Sequence, residues 1–345
     1  MRNPAAWLLL ALCVACGPAA DAGAEVRSSE RLTIDGAALY LEVRGADREA
    51  PVLLWLHGGP GGAERPLFRY FNGDLEQHFV VAYWDQRGAG RSFDPAADPE
   101  QLTVARHLAD LDAVVDHLGR SFGRDELVLV GHSWGGALGL LYARAHPSKV
   151  SAFIAVAPMV STRAQQQAEY DFVLAEATRR GDEDALARLR ELGAPPYETS
   201  DEMIAIERLT DRYGGVFHQP PNRAVAALVA MFRGIVTPWE ISRIIRANEV
   251  SLDAMESELL GLDLPQSVPH VDVPIFFLLG RHDRHVDAEL AARYLESLRA
   301  PSKQLIWFEG SAHNVPFEEP ERFNETVLDA VESIGLEAEH SENAG

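Results

Sequence analysis

One serine lies in a local pattern that could carry covalent chemistry. The segment Gly131-His132-Ser133-Trp134-Gly135 has the spacing G-x-S-x-G. An apolar run at residues 127–130 ends directly before it, and a helical pattern follows that ends before Pro147. Glycines on both sides permit a strained strand-to-helix turn that lifts a serine hydroxyl clear of the backbone. The pattern therefore predicts that Ser133 is a nucleophile, and a glycine-rich turn with an idle serine is the alternative.

A serine hydroxyl needs help to attack a carbonyl at neutral pH. It requires a general base, and the base requires an acid that orients it. In the chain order Ser, acid, His, both partners are expected on loops that follow late strands. Asp283 follows the apolar run at residues 273–279, and His313 follows the run at residues 305–308. The sequence therefore predicts Ser133, Asp283 and His313 as a catalytic triad.

Two other interpretations of the acidic loop stay open. Asp287 is a rival for the acid, although its place just before a helical pattern suits a helix cap. His282, Asp283 and His285 could alternatively be metal ligands, but no third region of the chain offers matching ligands. We therefore expect neither a metal nor an organic cofactor.

A tetrahedral intermediate needs two N–H groups aimed at its negative charge. The residue after the nucleophile, Trp134, can supply one of them. The glycine-rich segment at residues 57–62, His-Gly-Gly-Pro-Gly-Gly, directly follows an apolar run and can supply the other. Gly59 is the expected donor in this loop, whereas His57 is expected to orient the loop without a catalytic role. A plain glycine-rich turn is the alternative.

These loops need a scaffold that brings them together. Short, continuously apolar runs alternate with amphipathic helical patterns, which is typical of β-α-β units in a sheet buried on both faces. The runs are residues 52–56, 79–84, 127–130, 153–157, 273–279 and 305–308, and residues 31–35 and 39–43 predict a leading antiparallel hairpin. We therefore expect an α/β fold with a mainly parallel central sheet and flanking helices.

The alternation stops in the middle of the chain. Residues 161–265 lack strand-like runs and contain helical segments rich in Arg and Glu, which predicts a helical insertion. The expected domains are a leader at 1–15, a flexible tether at 16–30, the core at 31–160 and 266–335, the insertion at 161–265 and an acidic tail at 336–345.

The N-terminal residues have the pattern of a secretory signal. Arg2 precedes an uncharged apolar stretch at residues 5–15, which is too short to span a membrane as a helix. The segment Leu12-Cys13-Val14-Ala15-Cys16-Gly17 resembles a bacterial lipobox, in which cleavage leaves Cys16 as a lipid-modified first residue, although Cys13 stands where Leu is usual. A membrane-anchored lipoprotein exported from a bacterial cytoplasm is expected, with plain secretion and an uncleaved anchor as alternatives.

The overall charge narrows the partners. The 345 residues include 31 Lys and Arg against 52 Asp and Glu, for a formal net charge of −21. A chain this acidic repels phosphate backbones, so nucleic acid is not an expected partner. Apolar runs are too short for a polytopic membrane protein. We therefore expect membrane contact only through a lipid anchor at Cys16.

With these motifs in place, the chain resembles the α/β-hydrolase fold and, within it, the proline iminopeptidase family of serine aminopeptidases. The resemblance spans roughly residues 32–333 and rests on residues 57–61 (His-Gly-Gly-Pro-Gly), residues 85–92 (Asp-Gln-Arg-Gly-Ala-Gly-Arg-Ser), the elbow and the two late loops. It implies a helical cap over the active site and release of an N-terminal residue, often proline. The elbow departs from the common G-G-S-W-G-S of this family at His132 and Gly136.

The caps of this family carry glutamates that hold the free amine of the substrate. By this resemblance, Glu207 and Glu240 are candidates in this chain, with Glu198 and Glu202 as others. A partly buried carboxylate favours an ammonium partner. The alternative for each glutamate is a position on a solvated helix face.

The leading hypothesis is a serine hydrolase that acts as an aminopeptidase on small peptides through an acyl-enzyme. The first alternative is an esterase or amidase that uses the same triad on a small acyl compound, because the fold hosts many chemistries. The second is a surface lipoprotein that binds without catalysis.

Overall fold

The computed structural model describes residues 23–219, 231 and 234–335. The predicted leader, Cys16 and the predicted acidic tail at 336–345 lie outside the described residues, so their assignments stay predictions.

The core is one eight-stranded sheet in the order β1-β2-β4-β3-β5-β6-β7-β8. β1 and β2 form an antiparallel hairpin, β2 pairs antiparallel with β4, and all other neighbours are parallel. The strands are Val26–Ile34, Ala37–Gly45, Val52–Leu56, Val80–Trp84, Leu127–His132, Val150–Val156, Ile275–Gly280 and Lys303–Phe308. β3 to β7 are almost wholly buried, because helices cover both faces. The predicted mainly parallel sheet is confirmed.

The first strand is longer than predicted. β1 begins at Val26 and pairs with β2 from Val26 opposite Gly45 to Ile34 opposite Ala37. Residues 26–30, predicted as part of the tether, therefore belong to the sheet. The prediction was wrong there because residues 27–30 are polar and exposed on an edge strand, so backbone pairing holds them without an apolar signal.

The helices lie on both faces of the sheet and in the insertion. They are α1 Arg65–Phe71, α2 Val104–Phe122, α3 Trp134–Ala145, α4 Thr162–Arg180, α5 Glu183–Leu192, α6 Ser200–Arg212, α7 Pro238–Leu260, α8 Leu264–Ser267, α9 Ala288–Ser297, α10 Val315–Glu318 and α11 Pro320–Glu332. One apolar core joins α2, α3 and α9 to the sheet, and a second joins α1 and α11 to the opposite face. No helix in the described part of the chain is long and apolar enough to cross a membrane.

The helical insertion leaves and re-enters the core at one place. Ser161 and Asp263 form an antiparallel bridge, and the Leu264 N–H donates to the Val160 carbonyl at 2.8 Å. Between these points α4, α5 and α6 share a small apolar core that includes Val173, Leu189 and Ile206. This region, called the cap below, is thus held by its own core and by its two adjacent ends.

Candidate active site

Ser133 stands at a sharp turn between β5 and α3. Its φ of 54° and ψ of −116° are sparsely populated for a residue with a side chain. The turn is held because the Ser133 N–H donates to the Val156 carbonyl at 3.0 Å and its carbonyl accepts from Met159 at 3.1 Å. A side chain at Gly135 would approach the Leu56 carbonyl oxygen to 2.0 Å, so glycine is required there. The geometry is that of a nucleophile elbow.

The structure brings the two late loops together. Asp283 lies after β7 and His313 after β8, and Asp283 Oδ2 lies 3.0 Å from His313 Nδ1. The other oxygen, Oδ1, accepts from the backbone N–H groups of His285 and Val286 at 2.9 and 3.1 Å. Because the carboxylate binds Nδ1–H, the neutral ring of His313 carries its lone pair on Nε2. His313 and Ser133 line the same cavity.

Burial and charge act in opposite directions on this pair. Burial alone would raise the pKa of Asp283, but His313 outweighs it, and the pKa of Asp283 lies below its usual value. Burial lowers the pKa of His313 in spite of Asp283, and the neighbouring His132 and His285 lower it further. The histidine is therefore neutral, and able to accept a proton, at a lower pH than an ordinary histidine.

The other candidate residues of the acidic loop contact partners outside the triad. Asp287 accepts from the Leu290 N–H at 3.0 Å and caps α9. His285 Nδ1 lies 3.0 Å from Glu169, and the ring of His282 stacks on His218 at 3.5 Å. Within the described ranges, no three His, Cys, Asp or Glu side chains converge on a site suited to a metal.

The glycine-rich loop between β3 and α1 faces the elbow. Gly59 has a φ of 114°, which favours glycine, and it lines the cavity. Trp134 opens α3, so its N–H has no acceptor within the helix. His57 is fully buried, and its Nε2 accepts from the Gln86 N–H at 3.0 Å, so it ties this loop to the segment after β4.

A cavity of about 560 Å³ lies between the core and the cap, within the range of small-molecule sites. Ser133 and His313 lie on its core side. Its cap side carries apolar side chains, those of Met203, Ile204, Ile206, Ile244 and Leu252, together with polar ones that include several glutamates and Arg208.

The cap glutamates predicted to bind an amine take different places. Glu207, on α6, lines the cavity and is half-buried. Glu240 does not line it, and its carboxylate is buried against two arginines, with Arg91 Nε at 2.9 Å and Arg65 also in contact. The prediction for Glu240 is therefore wrong, because its charge is already neutralised where α7 meets the core.

The two other candidate glutamates also lie away from the cavity. Glu202 completes a capping box with Thr199 at the start of α6, and Glu198 is exposed beside it. Neither residue lines the cavity.

Sequence reasoning missed two His–Glu pairs at this cavity, each with one buried and one partly buried partner. Glu64 Oε1 lies 2.7 Å from His132 Nδ1, and Glu169 contacts His285 as described above. Each pair joins residues far apart in sequence, so spacing carries no signal for it. In α4, Gln165 and Glu169 are buried by tertiary contacts, whereas polar residues one helical turn apart look the same in sequence as a solvated helix face.

The fold and the elbow are those of the α/β hydrolases, and the family model of the alpha/beta hydrolase fold matches residues 51–320. The chain belongs to this family, and it is an enzyme of the hydrolase class. Both the fold class and the enzyme class predicted from sequence are confirmed.

The relatives narrow the resemblance. A probable aminopeptidase, YbaC, from Bacillus subtilis is 29% identical over 301 residues, which cover 86% of this chain and 94% of the relative. A proline iminopeptidase from Saccharolobus solfataricus is 24% identical, with coverage of 85% and 87%. The crystal structure of a Mycobacterium smegmatis proline iminopeptidase has a TM-score of 0.67 at 20% identity, with coverage of 90% and 99%, and supports the fold.

Proposed function

We propose that the protein is a serine aminopeptidase that releases an N-terminal residue, proline or another small apolar one, from a peptide. The observation that carries this proposal is one cavity that holds Ser133 and His313 on its core side and the carboxylates of Glu169, Glu207 and Glu249 on its cap side. Relatives named as aminopeptidase and proline iminopeptidase over most of the chain support the same activity.

The first half of the reaction forms an acyl-enzyme. His313 Nε2 takes the proton of Ser133 Oγ, and the oxygen attacks the carbonyl carbon of the first peptide bond. Asp283 holds the ring of His313 in the tautomer that leaves Nε2 free, and it stabilises the imidazolium that forms. The N–H groups of Gly59 and Trp134 bind the oxyanion. His313 then returns the proton to the leaving amine as the C–N bond breaks.

The second half releases the acyl group. Water takes the place of the leaving peptide, His313 removes its proton, and the resulting hydroxide attacks the ester carbonyl. The same N–H groups bind the second oxyanion. Ser133 leaves with the proton from His313, and the free amino acid departs.

The cap determines where cleavage occurs. A substrate amine is cationic at neutral pH, and an acidic wall in a largely apolar cavity binds it while the apolar side chains accept a small first residue. Glu207 is the first candidate because, unlike Glu169, it is not paired with His285 in the described contacts. Binding of the substrate's free amine by a cap carboxylate selects the first peptide bond, which makes cleavage exopeptidic.

The test compares proline and alanine naphthylamides, each with a free and a blocked amine, with a short-chain nitrophenyl ester. Turnover of the free-amine amides that is lost on blocking supports the aminopeptidase. Ester turnover without amide turnover overturns it in favour of an esterase with the same triad. Ser133→Ala should remain folded and lose activity by several orders of magnitude, and retained activity would overturn the mechanism.

A pair of cap variants tests the amine site. Glu207→Gln should lower kcat/KM for free-amine amides by about 10- to 100-fold, because a charge-assisted hydrogen bond is lost. Ester hydrolysis should change little. Glu191→Gln, an exposed carboxylate on α5 that does not line the cavity, is the matched control. Equal losses on ester and amide would contradict the assignment of Glu207.

We also propose that the enzyme is exported and anchored through a lipid on Cys16, on the basis of the N-terminal sequence pattern. Expression in bacteria with radiolabelled palmitate should label the wild type and Cys13→Ala but not Cys16→Ala. Labelling that survives in Cys16→Ala would contradict the anchor.

A further inference from the structure

The second histidine of the site, His132, directly precedes Ser133. It occupies the position at which the common elbow of the proline iminopeptidase family, G-G-S-W-G-S, has its second glycine. It is 2% exposed, with its ring stacked on Trp55 at 6.3 Å and against the edge of Phe317 at 6.1 Å. A buried polar ring at the turn of the nucleophile needs partners for both of its nitrogens.

Both ring nitrogens of His132 face acceptors. Nδ1 lies 2.7 Å from Glu64 Oε1, and Nε2 lies 3.1 Å from the main-chain carbonyl oxygen of His313. A carbonyl oxygen can only accept a hydrogen bond, so Nε2 carries a proton. An ionised carboxylate also only accepts, so Nδ1 carries the second proton and the ring is an imidazolium.

The balance of burial and charge supports this ion pair. Burial lowers the pKa of His132, but the carboxylate of Glu64 outweighs it and the pKa lies above its usual value. Burial raises the pKa of Glu64, but His132 outweighs it and the pKa lies below its usual value. Each group thus holds the other in its charged form.

Glu64 extends the pair to the glycine-rich loop. Its Oε2 accepts from the Gly58 N–H at 3.1 Å, one residue before the proposed oxyanion donor Gly59. The contacts of Glu64 and His132 therefore reach the oxyanion loop, the nucleophile elbow and the loop of His313. Ser133, His313 and both proposed oxyanion donors lie on these three loops, and of the reacting groups only Asp283 lies elsewhere.

The charges around His132 come from four segments of the chain. Glu64 faces it from the loop before α1, and His57 acts on Glu64 from the end of β3. Asp283 acts on His132 from the loop after β7, and the centroid of the His313 ring lies 4.8 Å from that of His132. The ring of His285 lies 4.9 Å from that of His313, so His132 is one of two cationic histidines next to the general base.

We propose that Glu64 and His132 are a positioning pair. Together they fix the relative positions of the oxyanion loop, the elbow and the His313 loop, and they place a fixed positive charge beside the general base. This inference rests on the proposed roles of Ser133 and His313. The pair has two separable effects. Its hydrogen bonds set geometry, and its charge disfavours protonation of His313, which keeps the base neutral at lower pH.

The test measures the rate of inactivation by a fluorophosphonate as a function of pH, since this rate depends on the nucleophile and its base but not on the natural substrate. His132→Gln removes the charge and one contact. The acid-side midpoint of the profile should rise by about one pH unit, because a neighbouring cation is lost. The plateau rate should fall about tenfold or more, because the loops no longer hold the reacting groups in their relative positions.

His117→Gln is the matched control. His117 also pairs with a glutamate, with Nε2 at 2.9 Å from Glu30, but on the outer side of α2 away from the cavity. Its midpoint and plateau should match the wild type. Glu64→Asp keeps the charge and shortens the reach to Gly58, so it should retain the wild-type midpoint and lose only plateau rate. This variant keeps the test open if His132→Gln fails to fold, as checked by its thermal melt.

The outcomes distinguish the two proposals. A wild type that the probe does not label overturns the proposed nucleophile, and with it the positioning role. A labelled wild type with an unmoved midpoint in His132→Gln overturns the positioning pair alone and leaves His132 as a packing residue. If the midpoint of Glu64→Asp rises as far as that of His132→Gln, the claim that charge sets the midpoint and hydrogen bonds set the plateau rate is contradicted.

Discussion

The ring of His313 receives opposing effects from its neighbours. Asp283 favours its protonated form, while burial and the cations of His132 and His285 disfavour it, and the net effect is a lowered pKa. His313 is therefore neutral at neutral pH and can accept the proton of Ser133. The acid limb of kcat/KM should therefore lie below the ordinary histidine value of about 6.5.

At the residue scale, the choice between two aspartates can be tested directly. Asp283→Asn should lower kcat by about 10⁴-fold, because the amide no longer holds the required tautomer of His313. Asp287→Asn should change the free energy of unfolding by less than about 0.5 kcal/mol, because asparagine caps a helix about as well as aspartate, and it should leave the rate within a few-fold. Steady-state kinetics on whichever chromogenic substrate is cleaved would measure this. Equal losses in both variants would reopen the assignment of the acid.

The long cap helix α7 is the element that joins the cap to the core. Its first turn carries Glu240, which pairs with Arg65 and Arg91. Further along it, Asn248 donates to the Pro60 carbonyl at 2.9 Å and Ser251 to the Gly88 carbonyl at 3.0 Å. Polar contacts to two catalytic-side loops thus fix the position of the helix that lines one wall of the cavity.

For this helix, we predict that Glu240→Gln lowers the free energy of unfolding by about 2 kcal/mol. Arg65 and Arg91 lose a buried charged partner, although Arg65 keeps Glu42 and Asp85. Asp253→Asn, an exposed carboxylate on the same helix, should change it by less than about 0.5 kcal/mol. Urea denaturation followed by circular dichroism measures both. A loss in Glu240→Gln no larger than in the control would show that the cluster does not stabilise the cap.

Five histidines of the described residues, four of them buried and His285 partly buried, fall into two kinds by the direction of their pKa shifts. Burial lowers the pKa values of His57, His107 and His313. Carboxylate partners outweigh burial at His132 and His285, and they raise the pKa of His285 to about 10. The two kinds have opposite linkage to pH.

This predicts a maximum of stability near pH 6.5. Below pH 6.5, His57, His107 and His313 become protonated in the unfolded chain but stay neutral in the folded protein until the pH reaches their lowered pKa values. The unfolded state therefore gains protons first, and stability falls as pH falls. Above it, the stabilisation from the raised histidines is lost as pH rises toward their folded pKa, near 10 for His285. Urea titrations at pH 5, 6.5 and 9 and constant ionic strength should give the highest free energy of unfolding at the middle value. A steady rise to pH 9 would contradict the prediction.

Sequence patterns were enough to predict the scaffold and the order of the catalytic residues along the chain. Parallel buried strands appear as continuous apolar runs, and residues that follow them meet at one edge of the sheet. Local pattern was therefore enough to place Ser133, Asp283 and His313 on loops that converge. It was not enough for β1, where exposed polar residues pair through the backbone alone.

Which charged groups pair with each other became clear only from the three-dimensional arrangement. Glu64 and His132 are 68 residues apart, and Arg65 and Glu240 are 175 apart. An ion pair between such residues has no period along the chain, and a glutamate on a helix has the same local pattern whether it faces solvent, an arginine or a cavity. Glu207 and Glu240 were therefore equal candidates in sequence, and burial and contacts alone separated them.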